Sequence, residues 1–232
     1  MKKLSFIFIV LLLLVGCTGK KESKDHYFKV LDLAYEGPRI DPKYVDIDPV
    51  DPRGGFFEVA LKSCIDGDTA KFDYPSFIDD AGGYNKSVRF LNMDTEETYN
   101  NPEEWGKPAS HYTCDSLKWA ERIIMQTDPG DGLLDVHKRL LGWIWIIPFG
   151  TEKKAGLDDY TLEQYELLNY KVVQQGLAQV AYLYGAGNIT YGDKSYTDWM
   201  YQAEKYALDH KLGQWSNLLD PTWELYFKSA KK

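Results

Sequence analysis

Residues 87–97 (SVRFLNMDTEE) set a cation inside an apolar alternation and follow it closely with three acids. Arg89 lies between Val88 and Phe90, and Asp94, Glu96 and Glu97 come just after. One small region therefore carries both signs of charge. Phosphodiester chemistry needs that combination: cationic donors for phosphate oxygens, and carboxylates that hold a metal ion or orient a water. Two further polar segments flank it, Asp66-Gly67-Asp68-Thr69 upstream and Asp135-Val136-His137-Lys138-Arg139 downstream. Each has a plainer reading as well. Asp66-Gly67 is a turn dipeptide, and Arg89 could serve as a structural ion-pair partner of Asp94 or Glu97.

These residues need elements to position them. Phe57, Val59 and Leu61 alternate with Glu58, Ala60 and Lys62, the period of a half-buried strand, and the Asp66-Gly67 turn leads to a second strand at 69–72. A loop with Pro75, Gly82 and Gly83 precedes the Arg89 strand. Pro108 suits the first turn of a helix, predicted over 108–126 with Ala109, Tyr112, Leu117, Ala120 and Ile124 on one face. Residues 140–147 are continuously apolar, too short for a membrane span, and read as a buried strand closed by Pro148. Thr161-Leu162-Glu163-Gln164 is a capping-box pattern that opens a second helix to about 175. A strand over 176–184, a Gly/Asn loop at 185–194 and a last helix from about 197 to a C-cap at Gly213 complete the reading. Short strands interrupted by helices indicate an α+β class and leave several folds open.

The 232 residues, 44% of them hydrophobic, suffice for one well-buried domain with appendages. Lys2 and Lys3 precede the apolar run 4–15, which ends in Leu14-Val15-Gly16-Cys17 and there looks like a bacterial lipobox. The expected organisation is a lipoprotein signal peptide over 1–16, a flexible tether over 17–27 with Cys17 lipidated, and an extended proline-rich strap over 28–55. The main domain would span 56–216, with a C-terminal extension over 217–232. Asp46, Asp48 and Asp51 fall in the strap but lack the glycine and terminal acid of a calcium loop. Cys64 and Cys114, the remaining thiols, are read as two small buried residues, with a disulfide left open. There are 27 basic against 35 acidic residues, a formal charge of −8, and loss of Lys2 and Lys3 with a leader leaves 25 against 35. A general polyanion-binding surface is thereby excluded, and any nucleic-acid chemistry must rest on a local site and a bound cation.

From about Phe57 to Trp215 the chain resembles the staphylococcal nuclease (thermonuclease) family. The motifs that carry this are Ile65-Asp66-Gly67-Asp68-Thr69, Arg89 with Asp94-Thr95 and Glu97, and Asp135 with Arg139. Gly176-Leu177-Ala178 leading to Ala181-Tyr182-Leu183-Tyr184, and Ala203-Glu204 through Gly213-Gln214-Trp215, complete the set. The resemblance implies a five-stranded OB-fold barrel with about three helices. It implies one Ca²⁺ ion held by Asp68, Asp94 and the Thr95 carbonyl, with Asp66 and Glu96 adding negative potential. It makes Glu97 the residue that activates or orients water, and Arg89 and Arg139 the phosphate-binding catalytic arginines. Tyr182 and Tyr184 become nucleotide-stacking residues. One departure is His137-Lys138, where the family commonly has Tyr-Gly, which puts an imidazole and a cation on the nucleotide-binding side. The implied function is a monomeric, lipid-anchored, calcium-dependent nuclease for DNA and RNA on the outer face of the cell membrane. The alternative is a catalytically weak binding module of the same fold, for nucleic acid or protein at the envelope.

Overall fold

A computed structural model describes residues 31–44, 51, 53–75, 78, 87–99, 103–130, 132–183 and 189–216. Its centre is a mixed sheet. The strands are β1 (Phe56–Glu58), β2 (Ala60–Cys64), β3 (Thr69–Asp73), β4 (Ser87–Phe90), β6 (Arg122–Thr127) and β7 (Leu140–Ile147), ordered β1-β6-β7-β4-β3-β2, with β8 (Glu166–Leu167) also paired to β7. All neighbours are antiparallel except β4 and β7, which run parallel with Arg89 opposite Leu141. β1 and β2 lie at the two ends of this order, yet only Val59 separates them in sequence. The sheet must therefore curl until its edges approach one another at Val59, whose amide bonds the Ile123 carbonyl.

Every residue of β7 is buried, as its unbroken apolar run requires, and each buried Ile or Leu there contributes on the order of 1.5–3 kcal/mol. Among the described residues three helices pack around the sheet: α1 (Gly106–Trp119), α2 (Leu168–Gln174) and α3 (Tyr196–Asp209). The Tyr196 ring at the start of α3 meets Trp143 and Trp145 of β7 edge-on, at centroid distances of 5.3 and 5.7 Å. α2 is pinned by Asn169. Its side chain accepts from the Ile144 amide and donates to the Leu91 carbonyl, each at 2.9 Å, and so ties the central strand to the turn that follows Arg89. Among the described residues no helix is long and apolar enough to cross a membrane.

Several expectations are corrected. The first strand is two strands, β1 and β2, on opposite edges of the sheet, although its inside-outside alternation holds from Phe57 to Ala60. The helix predicted to 126 ends at Trp119, and residues 122–127 form β6 between β1 and β7. Two adjacent isoleucines within Arg122-Ile-Ile-Met-Gln-Thr favour a strand, and pairing on both sides outweighs the helical spacing of Ile124. The capping box at Thr161 and Gln164 forms, but it opens one 3₁₀ turn, Leu162–Gln164, because Glu166 and Leu167 add a short strand to β7 before α2 begins. Among the described residues of the strand expected over 176–184, only β9 (Ala178–Gln179) forms, against β5 (Asp94–Thr95). The hairpin of β10 (Thr190–Tyr191) and β11 (Lys194–Ser195) begins within the expected Gly/Asn loop and ends one residue past it. α3 is capped by Ser195 and Asp198 and ends at Asp209. Gly213 does have a positive φ of 51°, but the cause is close packing: its amide neighbour Gln214 bonds the Gly176 carbonyl at 2.9 Å, and a Cβ on Gly213 would meet that oxygen at 2.1 Å.

Cys64 and Cys114 form a disulfide with their Cα atoms 5.7 Å apart, so they are not two separate buried thiols. The bond fastens the end of β2 to α1. Residues 31–40 lie along α2 and β8. The Gln175 side chain both accepts from the Leu31 amide and donates to its carbonyl, and Arg39 donates to the Tyr165 carbonyl at 2.8 Å. Asp46 and Asp48 lie outside the described residues.

Candidate active site

The β3–β4 register sets Thr69 opposite Arg89, and the parallel β4–β7 pair sets Arg89 beside Leu141, two residues past Arg139. Sheet pairing alone thus gathers three segments far apart in sequence. The Asp66-Gly67 turn is clamped from two sides. Thr113 of α1 donates to the Gly67 carbonyl at 2.7 Å, one residue from the disulfide, and a Cβ on Gly67 would meet Thr95 and Ala109 at 2.7 and 2.9 Å. No larger residue fits there, which is why the turn needs glycine.

Asp68, almost wholly buried, is the hub. Its Oδ1 accepts from the Thr69 hydroxyl at 2.8 Å and pairs with Arg89 Nη1 at 2.5 Å, while Oδ2 accepts from the Thr95 amide at 3.1 Å and hydroxyl at 3.2 Å. Arg89 Nη2 donates to Asp94 Oδ1 at 2.7 Å and to the Met93 carbonyl at 3.2 Å. One guanidinium therefore spans both carboxylates. Burial opposes its charge, but Asp68 and Asp94 outweigh that, and the Arg89 pKa is raised above its ordinary value. A buried ion pair of this kind is costly to break, because removing one partner strands the other charge.

Glu97 is exposed at the mouth of this cluster. Its carboxyl is pushed up by burial and then by the like charges of Asp66, Asp68 and Asp94, with Arg89 opposing. Its backbone is held from outside: the Glu97 carbonyl accepts from the Glu103 amide at 2.9 Å, and a Cβ on Gly106 would meet that carbonyl at 2.3 Å. Asp66 lies beside the same cluster, and burial first, then the charge of Asp68, pushes its carboxyl up. Glu96 does not. It turns to α1 and accepts from the Trp105 amide at 2.6 Å, and after burial the carboxylates that raise its pKa are Glu103 and Glu104. Neither residue lies in β5, so the division follows from what holds each one: the Trp105 amide takes the Glu96 carboxylate, while Glu103 holds the Glu97 backbone.

Arg139 is placed by Asp135, whose Oδ1 accepts from the amides of His137 and Arg139 at 2.9 and 2.8 Å, while Oδ2 takes Arg139 Nε at 2.7 Å. Those bonds hold the Asp135 carboxyl below its usual range although burial works the other way. Arg139 Nη1 reaches Thr69 Oγ1 at 3.4 Å, so a chain of polar contacts runs from Arg139 through Thr69 and Asp68 to Arg89 and Asp94. His137 and Lys138 are exposed on the same loop, with Lys138 at a φ of 63°. Tyr182, half exposed with a φ of 49°, lays its ring 4.9 Å from the Arg89 guanidinium carbon. Tyr184 and Cys17 lie outside the described residues.

Sequence reading missed two contributors. Thr69 bridges the hub to Arg139, and Gln179 approaches Asp94 at 3.5 Å from β9. Thr69 was visible as the last residue of Asp-Gly-Asp-Thr; Gln179 had no local signal.

Comparison with known families matches residues 87–217, more than half of the chain, to the family described as staphylococcal nuclease homologue. The chain belongs to this family. Its members are generally nucleases, and the matched span contains Arg89, Asp94, Thr95, Glu97, Arg139 and Tyr182. The span begins at β4, so Asp66 and Asp68 precede it and join the staphylococcal nuclease residues through the β3–β4 pairing.

Proposed function

We propose that this protein is a lipid-anchored, extracytoplasmic, calcium-dependent nuclease that hydrolyses phosphodiester bonds of DNA and RNA with little sequence preference. The observation that carries the reading is the convergence of Arg89, Asp68 and Asp94, with Glu97 facing them and Arg139 linked through Thr69. Two guanidinium groups beside a carboxylate cluster suit a substrate that is anionic and a reaction that builds further charge on its oxygens.

For the metal, the support is the chemistry of the donor set. Among the described residues no group of three or more His, Cys, Asp and Glu side chains is arranged around an ion position. The groups that do converge are all oxygen donors, Asp68 and Asp94 on one guanidinium, with Asp66 and Glu97 close enough to repel them. Oxygen donors without nitrogen or sulfur suit Ca²⁺, and excess negative charge is what a divalent ion relieves. Asp68, Asp94 and the Thr95 carbonyl would hold it. The ion, when bound, supplies a Lewis acid and lowers the pKa of an attacking water. Arg89 and Arg139 hold phosphoryl oxygens, Glu97 orients the water, and Tyr182 offers an aromatic surface to a base.

The fold reading goes further in the same sense. Taken as one bent strand, β1 and β2 together with β3, β4, β6 and β7 make five strands whose order returns on itself at Val59, in keeping with a closed OB barrel. Residues 1–17 support the anchor through their basic start, apolar run and terminal Val-Gly-Cys.

The acidic composition, −8 formally, favours a second reading, a binding module that holds nucleic acid or protein without cutting. Digestion of single-stranded DNA, duplex DNA and RNA in calcium and in chelator separates the two. Calcium-dependent cleavage is expected; binding without cleavage in calcium overturns the nuclease reading.

A further inference from the structure

At the end of β7 opposite the arginines, the chain exposes large apolar groups that the nuclease reading leaves unused. Trp119, at the last position of α1, is 63% exposed, and Phe149, two residues past β7, is 73% exposed. Their rings meet at 6.0 Å and 65°, so they form one aromatic wedge. Phe149 occupies the corner of a tight turn, closed by the Thr151 amide on the Pro148 carbonyl and made possible by Gly150 at a φ of 76°. Turn corners are normally polar. The turn is braced against the start of β6, where Glu121 accepts from the Gly150 amide at 3.1 Å. Leu157, half exposed, belongs to the same loop.

The position of this wedge is defined by the sheet. Arg139 immediately precedes β7 and Phe149 follows it, and eight residues of strand span about 25 Å at 3.3 Å each. Trp119 belongs to the far end too, because Arg122 pairs with Ile147. Around the apolar groups, Lys118, Lys153 and Lys154 balance Glu121, Glu152 and Asp158. An aromatic centre with a charge-balanced rim suits an uncharged interface better than an anionic one.

We propose that this end of the domain docks on the bilayer interface through Trp119, Phe149 and Leu157, turning the Arg89–Arg139 site outward. The inference rests on the lipid-anchored part of the function proposed above. Its occupant follows from the length of chain: thirteen residues lie between Cys17 and Leu31, and the chain from one to the other reaches about 50 Å fully extended, little more than the roughly 40 Å breadth of a domain this size. A tether that short keeps the bilayer at high effective concentration, so a few interfacial aromatics suffice to choose an orientation. Tryptophan and phenylalanine at the headgroup level, with lysine stems reaching past them, are the side chains that do this.

The test uses the full chain, isolated with its lipid and incorporated in phosphatidylcholine vesicles whose acyl chains carry bromine near the headgroup. Part of the tryptophan fluorescence should be quenched, Trp119→Phe should remove most of that component, and Phe149→Ser should reduce it with the thermal midpoint unchanged. Undiminished quenching in Trp119→Phe, or a vesicle-bound chain with no quenching, overturns the docking. So does a dimer in detergent that depends on Trp119 and Phe149, which would make a second copy the occupant. A chain that does not float with the vesicles overturns the anchor and the docking together. No arm reads cleavage, so failure of the nuclease reading leaves these outcomes unchanged.

Discussion

Thr95 donates both its amide and its hydroxyl to one oxygen of Asp68, at 3.1 and 3.2 Å, across 27 residues of sequence. The other oxygen of Asp68 is held by Thr69 and Arg89, so the buried carboxylate is fixed on both sides by partners from three strands. Its position is set by hydrogen bonds that a change of one hydroxyl can test.

Thr95→Val keeps the shape and the amide bond but leaves Asp68 Oδ2 with one donor. Loss of a buried hydrogen bond to a charged group should cost about 1–3 kcal/mol, with Thr95→Ser close to the parent. Denaturant unfolding measures the first effect. Calcium titration of cleavage should show weaker dependence in the valine variant, since the carboxylate is less constrained; an unchanged titration removes Thr95 from the site's support.

Reduction of the Cys64–Cys114 bond should act on the same turn. Closing a loop of 50 residues corresponds to about 4 kcal/mol in the chain-entropy account, so Cys64→Ala/Cys114→Ala should lower the unfolding midpoint markedly. Because Thr113 holds the Gly67 carbonyl beside that bond, calcium-dependent activity should also fall at temperatures where the variant remains folded. Full activity in the folded double variant would mean that the Asp66–Asp68 turn does not need the disulfide.

What was legible in the sequence was whatever local pattern decides. The unbroken apolar run at 140–147, closed by Pro148, read as a buried strand, and Asp66-Gly67 read as a turn, and both are found. Ile123 and Ile124 were misassigned because their spacing also fits a helix face, and the deciding pairings, of Ile124 to Glu58 and Trp145 among others, lie far away in sequence. Cys64 and Cys114 give no local sign of pairing, since their approach depends on how α1 packs over β2. At the site, motif order identified Asp68, Arg89, Asp94 and Arg139 as a group. The turning of Glu96 away from the cluster required the packing of α1, and the bridging of Thr69 required the register of the sheet.

Glu97 gives a prediction in pH. Burial, Asp66, Asp68 and Asp94 raise its folded pKa, so the folded chain holds that proton more tightly than the unfolded chain does. Stability from this group therefore falls as pH rises from the unfolded carboxyl range through the raised folded value. In chelator, Glu97→Gln should be more stable than the parent at neutral pH, and the gap should close towards pH 4, while cleavage in calcium is lost. Thermal midpoints across that range check it; a gap that widens on acidification reverses the sign and contradicts the repulsion.

Arg139 separates chemistry from binding. Its Nε is committed to Asp135 and Nη1 lies 3.4 Å from Thr69, which leaves the outer edge of a guanidinium, 27% exposed, for a phosphoryl oxygen. If that edge meets charge that grows during reaction, Arg139→Ala should lower kcat by about 10² or more with KM changed far less. Lysine should restore little, because one ammonium cannot hold Asp135 and a phosphate in the planar fork that arginine provides. Tyr182→Ala should do the opposite, weakening oligonucleotide binding by roughly 1–3 kcal/mol through lost stacking while the chemical step remains nearly intact. Steady-state kinetics on one short oligonucleotide, with circular dichroism to confirm that Asp135 without its partner has not unfolded the loop, measures both. An Arg139→Ala variant that loses affinity alone, with kcat preserved, would assign this arginine to substrate capture and leave Arg89 as the cation that acts on the transition state.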